Sequence, residues 1–235
     1  MGSFAQATAD EHGITREAMD DFAIQSLTRA KNAIEQGLLK AETAPVEVKT
    51  RRETITVVDD EQPHKGRTDK IPSLRAAFAQ DGTITAANAS SISDGASALI
   101  LANESAVQAQ GLKPMAKIVA HARSSRLPAE FTLAPVDAIS SLLKKTGWSA
   151  DDVDLWEINE AFAMVTMLAM KAHGLDHSKV NVHGGACAQG HPIGSTGSRI
   201  IVTLMHAMHH YGKERGVAAL CIGGGEATAV AIEKC

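Results

Sequence analysis

Val180-Asn181-Val182-His183-Gly184-Gly185-Ala186-Cys187-Ala188-Gln189-Gly190-His191-Pro192-Ile193-Gly194 is the stretch on which the fold turns. A short β-branched run, Val180–Val182, reads as a strand. It enters a glycine-rich loop, and the loop opens a helix over Ser198–His210 with Ser195 and Thr196 as caps. The pattern recurs downstream. Val217–Ile222 reads as a strand that runs through Cys221 into Gly223-Gly224-Gly225 and returns as Ala227–Ile232. Glycine has no Cβ, so backbone amides and a substrate can approach such loops closely. One histidine and one cysteine held in two such loops suit acyl transfer or proton transfer.

Working upstream, Val153–Ile158 reads as a strand and Glu160–Ala172 as a helix, with Ile118–Ala120 a strand and Val136–Leu143 a helix before them. The alternation predicts an α/β fold: a mixed, mainly parallel sheet with helices on both faces, closed by a hairpin. The first forty residues read as two helices. Ser3 caps one that stops at Gly13; Thr15 caps the other, whose stripe is Ala18, Phe22, Ala23, Leu27 and Ala30. Residues 46–50 and 54–58 alternate as a hairpin, 59–72 form a charged loop, and Leu74–Phe78 a short helix. Ala98–Leu101 has the composition of a buried strand, and a helix from Glu104 ends at Gly111.

Each candidate residue has a plain alternative. Asn159 follows a strand, where it can cap the next helix; it can also face the ligand crevice found at carboxyl strand ends. His191 stands in a turn made rigid by Pro192, ahead of a helix N-terminus that favours an adjacent anion. It can equally be a histidine bonded within its own turn. Cys221 can be a small buried hydrophobe, but three following glycines weaken both strands they join and suit an oxyanion hole. Cys187 has small neighbours and reads as packing, and Cys235 as a frayed tail. His64, Lys65, Arg67 and Lys70 are by default a solvated face and otherwise a clamp for phosphates. No His-Glu-x-x-His or paired Cys-x-x-Cys occurs, so a metal site is not expected.

Bulk properties set the class. The chain of 235 residues is 44% hydrophobic and 21% charged, enough apolar material for a sizeable core. Aromatic residues are only 3%, so the core must rest on Ala, Val, Ile, Leu and Met. A net charge of −4 argues against general nucleic-acid binding. No apolar run approaches a membrane span, and the first residues carry no secretory pattern. Three cysteines without framework spacing fit reduced thiols in the cytoplasm.

Taken in order, Asn159-Glu160-Ala161-Phe162, the Gly184-Gly185-Ala186 to Gly190-His191-Pro192-Ile193-Gly194 segment with Gly197 and Arg199, and Cys221-Ile222-Gly223-Gly224-Gly225 resemble the thiolase family. Asn88-Ala89-Ser90 and Ser93-Asp94-Gly95-Ala96 add to the likeness, which covers the whole chain and is nearest the acetyl-CoA acetyltransferases. The resemblance implies a layered α/β fold plus an α+β loop domain. It divides the chain into a substrate-binding loop domain at 1–91, a remnant of the N-terminal half at 92–114, and the C-terminal domain at 115–235. It implies ping-pong condensation of two acetyl-CoA molecules, or the reverse thiolysis, with coenzyme A thioester as substrate and no covalently bound cofactor. His191 then matches the activator of the acyl-accepting cysteine and Cys221 the proton-shuttling thiol. Asn159 matches the holder of an oxyanion-hole water, and the Gly223 amide an oxyanion donor. Ser90 matches a pantetheine contact, and Met1, Phe131 and Phe162 line the acyl pocket. His64 stands where relatives often carry arginine. The family's acyl-accepting cysteine matches no residue here and belongs upstream of Met1. The expected partners are therefore the N-terminal half and, in full-length form, further copies in a homo-oligomer. The alternative is an inactive or merely acyl-CoA-binding half.

Overall fold

The alternation of β5 (Arg215–Cys221) sends Val217, Ala219 and Cys221 to one face and Ala218 and Leu220 to the other. In the computed structural model, which describes residues 1–235, this strand lies inside a four-stranded sheet. The other members are β3 (Ala116–Ser125), β4 (Leu155–Ile158) and β6 (Glu226–Lys234), in the order β3-β6-β5-β4. β4 and β5 run parallel, from Leu155 opposite Gly216 to Ile158 opposite Ala219. β5 with β6, and β6 with β3, run antiparallel. The expectation of a mainly parallel sheet holds for strand direction, since β3, β4 and β5 run the same way, but is corrected for pairing, since the reversed β6 leaves one parallel pair in three. A parallel pair needs a long crossover, and the Ile222–Gly225 turn is too short to supply one. The turn folds β6 straight back, and β3 then adds to its far side.

Helices cover both faces. α5 (Ala134–Thr146) and α6 (Ala163–His173) pack Ala138, Ile139, Leu142 and Ala169 against Trp156, Ile158, Val217, Ala219, Ala229 and Ala231. On the other face, α8 (Thr196–Tyr211) lays Ile200, Leu204, Ala207 and Met208 on Leu155, Ala218 and Ile232. Alanine on the inner strands lets the helices come close, which is why so few aromatic residues suffice. Each large side chain buried here contributes about 1.5–3 kcal/mol.

The N-terminal segments lean on this frame. α1 (Gly2–Glu11) and α2 (Arg16–Glu35) pack Ala5, Ala9, Met19 and Phe22 against Phe131, Phe162, Met164 and Cys221. Thr15 caps α2 by accepting the Ala18 amide at 3.2 Å. β1 (Val46–Lys49) and β2 (Thr54–Val57) form the expected hairpin, Val46 opposite Val57, exposed throughout. α3 (Glu61–Lys65) follows, then α4 (Glu104–Gln110), whose C-cap Gly111 is left-handed; the single turn α7 (Ala186–Gln189) sets Ala188 against Leu27 and Ala30 of α2.

Several local expectations fail, each for a visible reason. The charged segment 59–72 is not all loop: Asp60 caps α3 and a 3-10 turn runs Thr68–Ser73. Leu74–Phe78 is not a helix but an extended piece bridged at Ala76 to Thr85. Val180–Val182 reduces to one bridge, Trp156 to Val180, because Asn181 takes a left-handed φ of 49°. Ala98–Leu101 is no strand; no neighbour pairs with it, and Ile100 stands 96% exposed. α1 starts at Gly2, so Ser3 lies inside it and caps nothing. α6 starts at Ala163, so Asn159 caps no helix either.

Candidate active site

Asn159 and Cys221 end up at the carboxyl ends of the parallel neighbours β4 and β5, where α/β sheets open their crevices. The Asn159 amide still bonds to the Ala219 carbonyl at 2.9 Å, which fixes how far each side chain projects past the sheet. The Asn159 side chain is freed from capping. Its Nδ2 faces His191 Nε2 at 3.5 Å, and its buried Oδ1 has no protein partner.

His191 is held from three sides. Its backbone N–H donates to Ser91 O at 3.0 Å, pairing the loop with Ile92. Its Nδ1 lies 2.6 Å from Thr196 Oγ1 at the start of α8, and Asn159 stands at its other nitrogen. Burial, reinforced by the Arg199 guanidinium, pulls its pKa below the ordinary histidine range. The ring is therefore neutral at physiological pH and able to accept a proton. Ser195 and Thr196, expected as caps, make no capping bond to the helix amides; Thr196 is taken up by the histidine.

Cys221 is 6% exposed and packs in one cluster with Phe131 and Phe162. The two rings meet edge-on with centroids 6.2 Å apart. Burial pushes the Cys221 thiol up to about 12. After it, Gly225 has φ +100°, and a Cβ there would strike the Arg126 carbonyl. A Cβ on Gly223 would lie 3.4 Å from the Met1 sulfur, so Met1 borders the glycine turn. Met1, Gly223, Cys221, Phe131 and Phe162 thus form one wall. Asn159 and His191 form a hydrogen-bonded pair, linked to that wall through β4 and β5.

Ser90 sits beside this wall, but its hydroxyl donates to Ala161 O at 3.0 Å. Its neighbour Ser91 lines a cavity of about 270 Å³ floored by Ala23, Leu27, Ile71, Leu74 and Ala87 and rimmed by Arg67 and Lys70. A mostly apolar trench lined also by Lys70 and by Arg67, which is paired with Asp69, suits a long, mostly apolar arm ending in phosphate if Arg67 exchanges that partner. His64 does not line it.

Sequence reasoning passed over Glu160. Its fully buried carboxylate accepts from Ser26 Oγ at 2.7 Å, Asn181 Nδ2 at 2.8 Å and the Cys187 amide at 3.0 Å. Ser26 in turn accepts the Gly185 amide, and a Cβ on Gly185 would collide with that carboxylate. Glu160 therefore pins the loop that leads to His191. Cys187 is half-buried, and desolvation together with the Glu160 charge holds its thiol well above the usual range, which fits packing. The left-handed Asn181 bridges Ile158 N and O with its amide. No group of three or more His, Cys, Asp or Glu side chains is placed to hold a metal ion.

With this geometry in place, known proteins supply the comparison. The thiolase C-terminal domain model matches residues 112–234 and the thiolase N-terminal domain model residues 1–105. The chain belongs to the thiolase family. Acetyl-CoA acetyltransferase from Yarrowia lipolytica is 47% identical over 234 residues, all of this chain and 58% of that protein. The Escherichia coli protein of the same name is also 47% identical, over all of this chain and 60% of its own length. The crystal structure of the Bacillus anthracis acetyl-CoA acetyltransferase superposes with a TM-score of 0.97 at 40% identity, covering 100% of this chain and 60% of that one. The Ascaris suum thiolase solved in complex with coenzyme A gives 0.89 at 40% identity, with the same coverage. This thiolase chain thus spans about 60% of the length of the relatives it matches. None of its helices is long and apolar enough to cross a membrane.

Proposed function

We propose that this chain supplies the acid–base part of an acetyl-CoA C-acetyltransferase site, which condenses two acetyl-CoA molecules to acetoacetyl-CoA and coenzyme A, or runs the reverse thiolysis. The observation that carries the reading is the His191–Asn159 pair, set at the carboxyl end of the strand beside the one that ends in Cys221. In this reading His191 accepts the proton of the acyl-accepting thiol. Asn159 orients the water of the enolate oxyanion hole, Cys221 shuttles the α-proton, and the Gly223 amide steadies the tetrahedral oxyanion. Met1, Phe131 and Phe162 bound the acyl group, and Ser90 with its neighbours guides the pantetheine arm. The Arg67–Lys70 rim receives the phosphates.

Cys221 is buried and Cys187 half-buried, and both thiols are held above the ordinary range, so neither presents a ready thiolate for acylation. The acyl-accepting cysteine is assigned instead to the part of the relatives' length that this chain does not span. Division at about 91 and 114 into loop domain, linking segment and C-terminal domain belongs to the same reading, as do a cytoplasmic location and a homo-oligomeric complete enzyme.

The test pairs the chain with the unmatched N-terminal portion of the Escherichia coli relative and follows acetoacetyl-CoA formation. Activity that His191→Ala and Cys221→Ala each reduce by roughly two to four orders of magnitude is expected. Cys187→Ala should cost less than about tenfold. Intact mass of the chain alone after acetyl-CoA treatment should show no adduct; stable acetylation at Cys187 or Cys221 with turnover would reverse the assignment of roles.

A further inference from the structure

We propose that Thr196 fixes His191 in the Nδ1–H tautomer and so keeps Nε2, the nitrogen facing Asn159, as the ring's lone pair. The argument is a count of protons. Thr196 is completely buried, and its hydroxyl carries one proton. Its Oγ1 stands 3.0 Å from the Pro192 carbonyl, four residues back, and 2.6 Å from His191 Nδ1. The Pro192 carbonyl also accepts the Ser195 and Thr196 amides at 2.9 Å and cannot donate, so a hydrogen bond at the 3.0 Å contact runs from the Thr196 hydroxyl to Pro192 O, the usual bond of a threonine early in a helix. Nothing is left for Thr196 to donate to the ring. The short contact with Nδ1 is then a bond in which Nδ1–H donates, and a neutral imidazole with Nδ1 protonated has a bare Nε2.

The other side of the ring agrees. Asn159 Nδ2, a donor with no acceptor capacity, is the atom that meets Nε2. The reverse arrangement would swing the hydroxyl proton onto Nδ1 and turn the Asn159 amide over. It would press the Oγ1 lone pairs against the Pro192 carbonyl at 3.0 Å, on a threonine that has no exposed surface of its own. Thr196 is β-branched and buried, which limits the rotation that could avoid this. Free histidine side chains favour the Nε2–H form, so the fold selects the less common tautomer.

The chemical use of this arrangement rests on the transferase reading above. When a thiol S–H is brought to Nε2, the S–H bond breaks and an Nε2–H bond forms, leaving thiolate and imidazolium. Nδ1–H keeps its bond to Thr196 throughout, so the ring need not turn between accepting and returning the proton. Thr196 is thus a positioning residue: it acts on the reaction only through His191.

The tautomer can be read on the chain itself, without activity. In histidine-selective ¹⁵N spectra above the His191 titration, with the signals assigned by His191→Gln, Nδ1 should be of the protonated pyrrole type and Nε2 of the bare pyridine type. Thr196→Ser keeps the hydroxyl and should keep that pattern. Thr196→Val, equal in shape but without the acceptor, should shift the ring toward Nε2–H. In the reconstituted transferase, Thr196→Val should lower kcat by at least about tenfold with KM little changed, and Thr196→Ser should restore it. A wild-type ring protonated on Nε2 would overturn the proposal, and so would a valine variant with the wild-type pattern. If the valine variant does not fold, the wild-type and serine spectra still decide. Absence of transferase activity with the expected spectra would sink the transferase reading and leave the tautomer assignment standing.

Discussion

Glu160 shows how much a single buried carboxylate organises. Ser26, Asn181 and the Cys187 amide all donate to it; removing it strands Ser26 and the Cys187 amide and leaves Asn181 Nδ2 with only its bond to the Ile158 carbonyl. Glu160→Ala should therefore lower stability by roughly 3–5 kcal/mol in urea unfolding, and Glu160→Gln by less. A loss below about 1 kcal/mol for the alanine variant would mean that the loop to His191 is pinned elsewhere. His183 makes a second residue-level case. It is 2% exposed, and burial together with the charge of His210 lowers its pKa to about 4 from an ordinary 6.5. The unfolded chain binds that proton first, so His183 costs nothing above pH 6.5, and stability falls as pH drops from there toward 4. The full loss is roughly 3 kcal/mol. His177, also lowered to about 4, adds to the same slope, while Glu42, raised to about 7, opposes it. His183→Asn should flatten the fall in melting temperature between pH 6.5 and 5; an unchanged slope would remove His183 from the account. His191 and Cys221 could be picked out as candidates because glycines and a proline mark their turns locally, and Asn159 because it follows a strand. Glu160 and Thr196 could not. Nothing beside them in sequence names Ser26 or the imidazole as their partners, and each reads as an ordinary helix-start residue.

At the scale of elements, the hairpin of β5 and β6 decides the sheet, and Gly225 decides the hairpin. Its φ of +100° and the Arg126 carbonyl against its Cα leave no room for a side chain. Gly225→Ala should therefore destabilise by more than the roughly 1–3 kcal/mol of backbone strain alone. Gly224→Ala meets mainly the movable end of Glu226 and should cost less, as paired thermal melts will show. The longer helices were read from sequence: α2, α4, α5 and α8 lie near the expected residues, although the caps expected for α8 make no capping bond and no helix forms at Leu74–Phe78. Strand identity was harder. A strand needs a neighbour, and neighbours come from tertiary structure: Val180–Val182 has the right composition but a left-handed Asn181 in its middle, so it gives one bridge. Direction was harder still, since alternation of strand and helix predicts parallel pairing wherever a crossover exists. Here β3, β4 and β5 all run the same way, joined by helical crossovers; the glycine turn reverses only β6, and its place between β3 and β5 makes two of the three pairings antiparallel.

The molecule as a whole keeps a sheet well covered on both faces and leaves a separate apolar edge bare. Ile92 is 98% exposed, Ile100 96%, Ile193 77% and Leu101 74%. Two of these are neighbours in space: Ile92 bridges to His191, and Gly95 sits against Pro192, so Ile92 and Ile193 border the same seam beside the candidate site. Single exposed apolar residues are ordinary on a soluble protein, but a pair at one seam with two more exposed further along the same segment favours association. Ser97, bonded to Ser195 and Ser198, fastens that segment to the start of α8 rather than leaving it to fold away. We expect the chain to self-associate in proportion to concentration, with an apparent mass in light scattering that rises across a dilution series. Replacing Ile92, Ile100 and Leu101 together by aspartate should lower that mass without changing the circular dichroism, because none of the three belongs to the buried clusters. A wild-type chain that stays monomeric at every concentration would show that this seam is stable in water as it stands, and the association argument would fail with it.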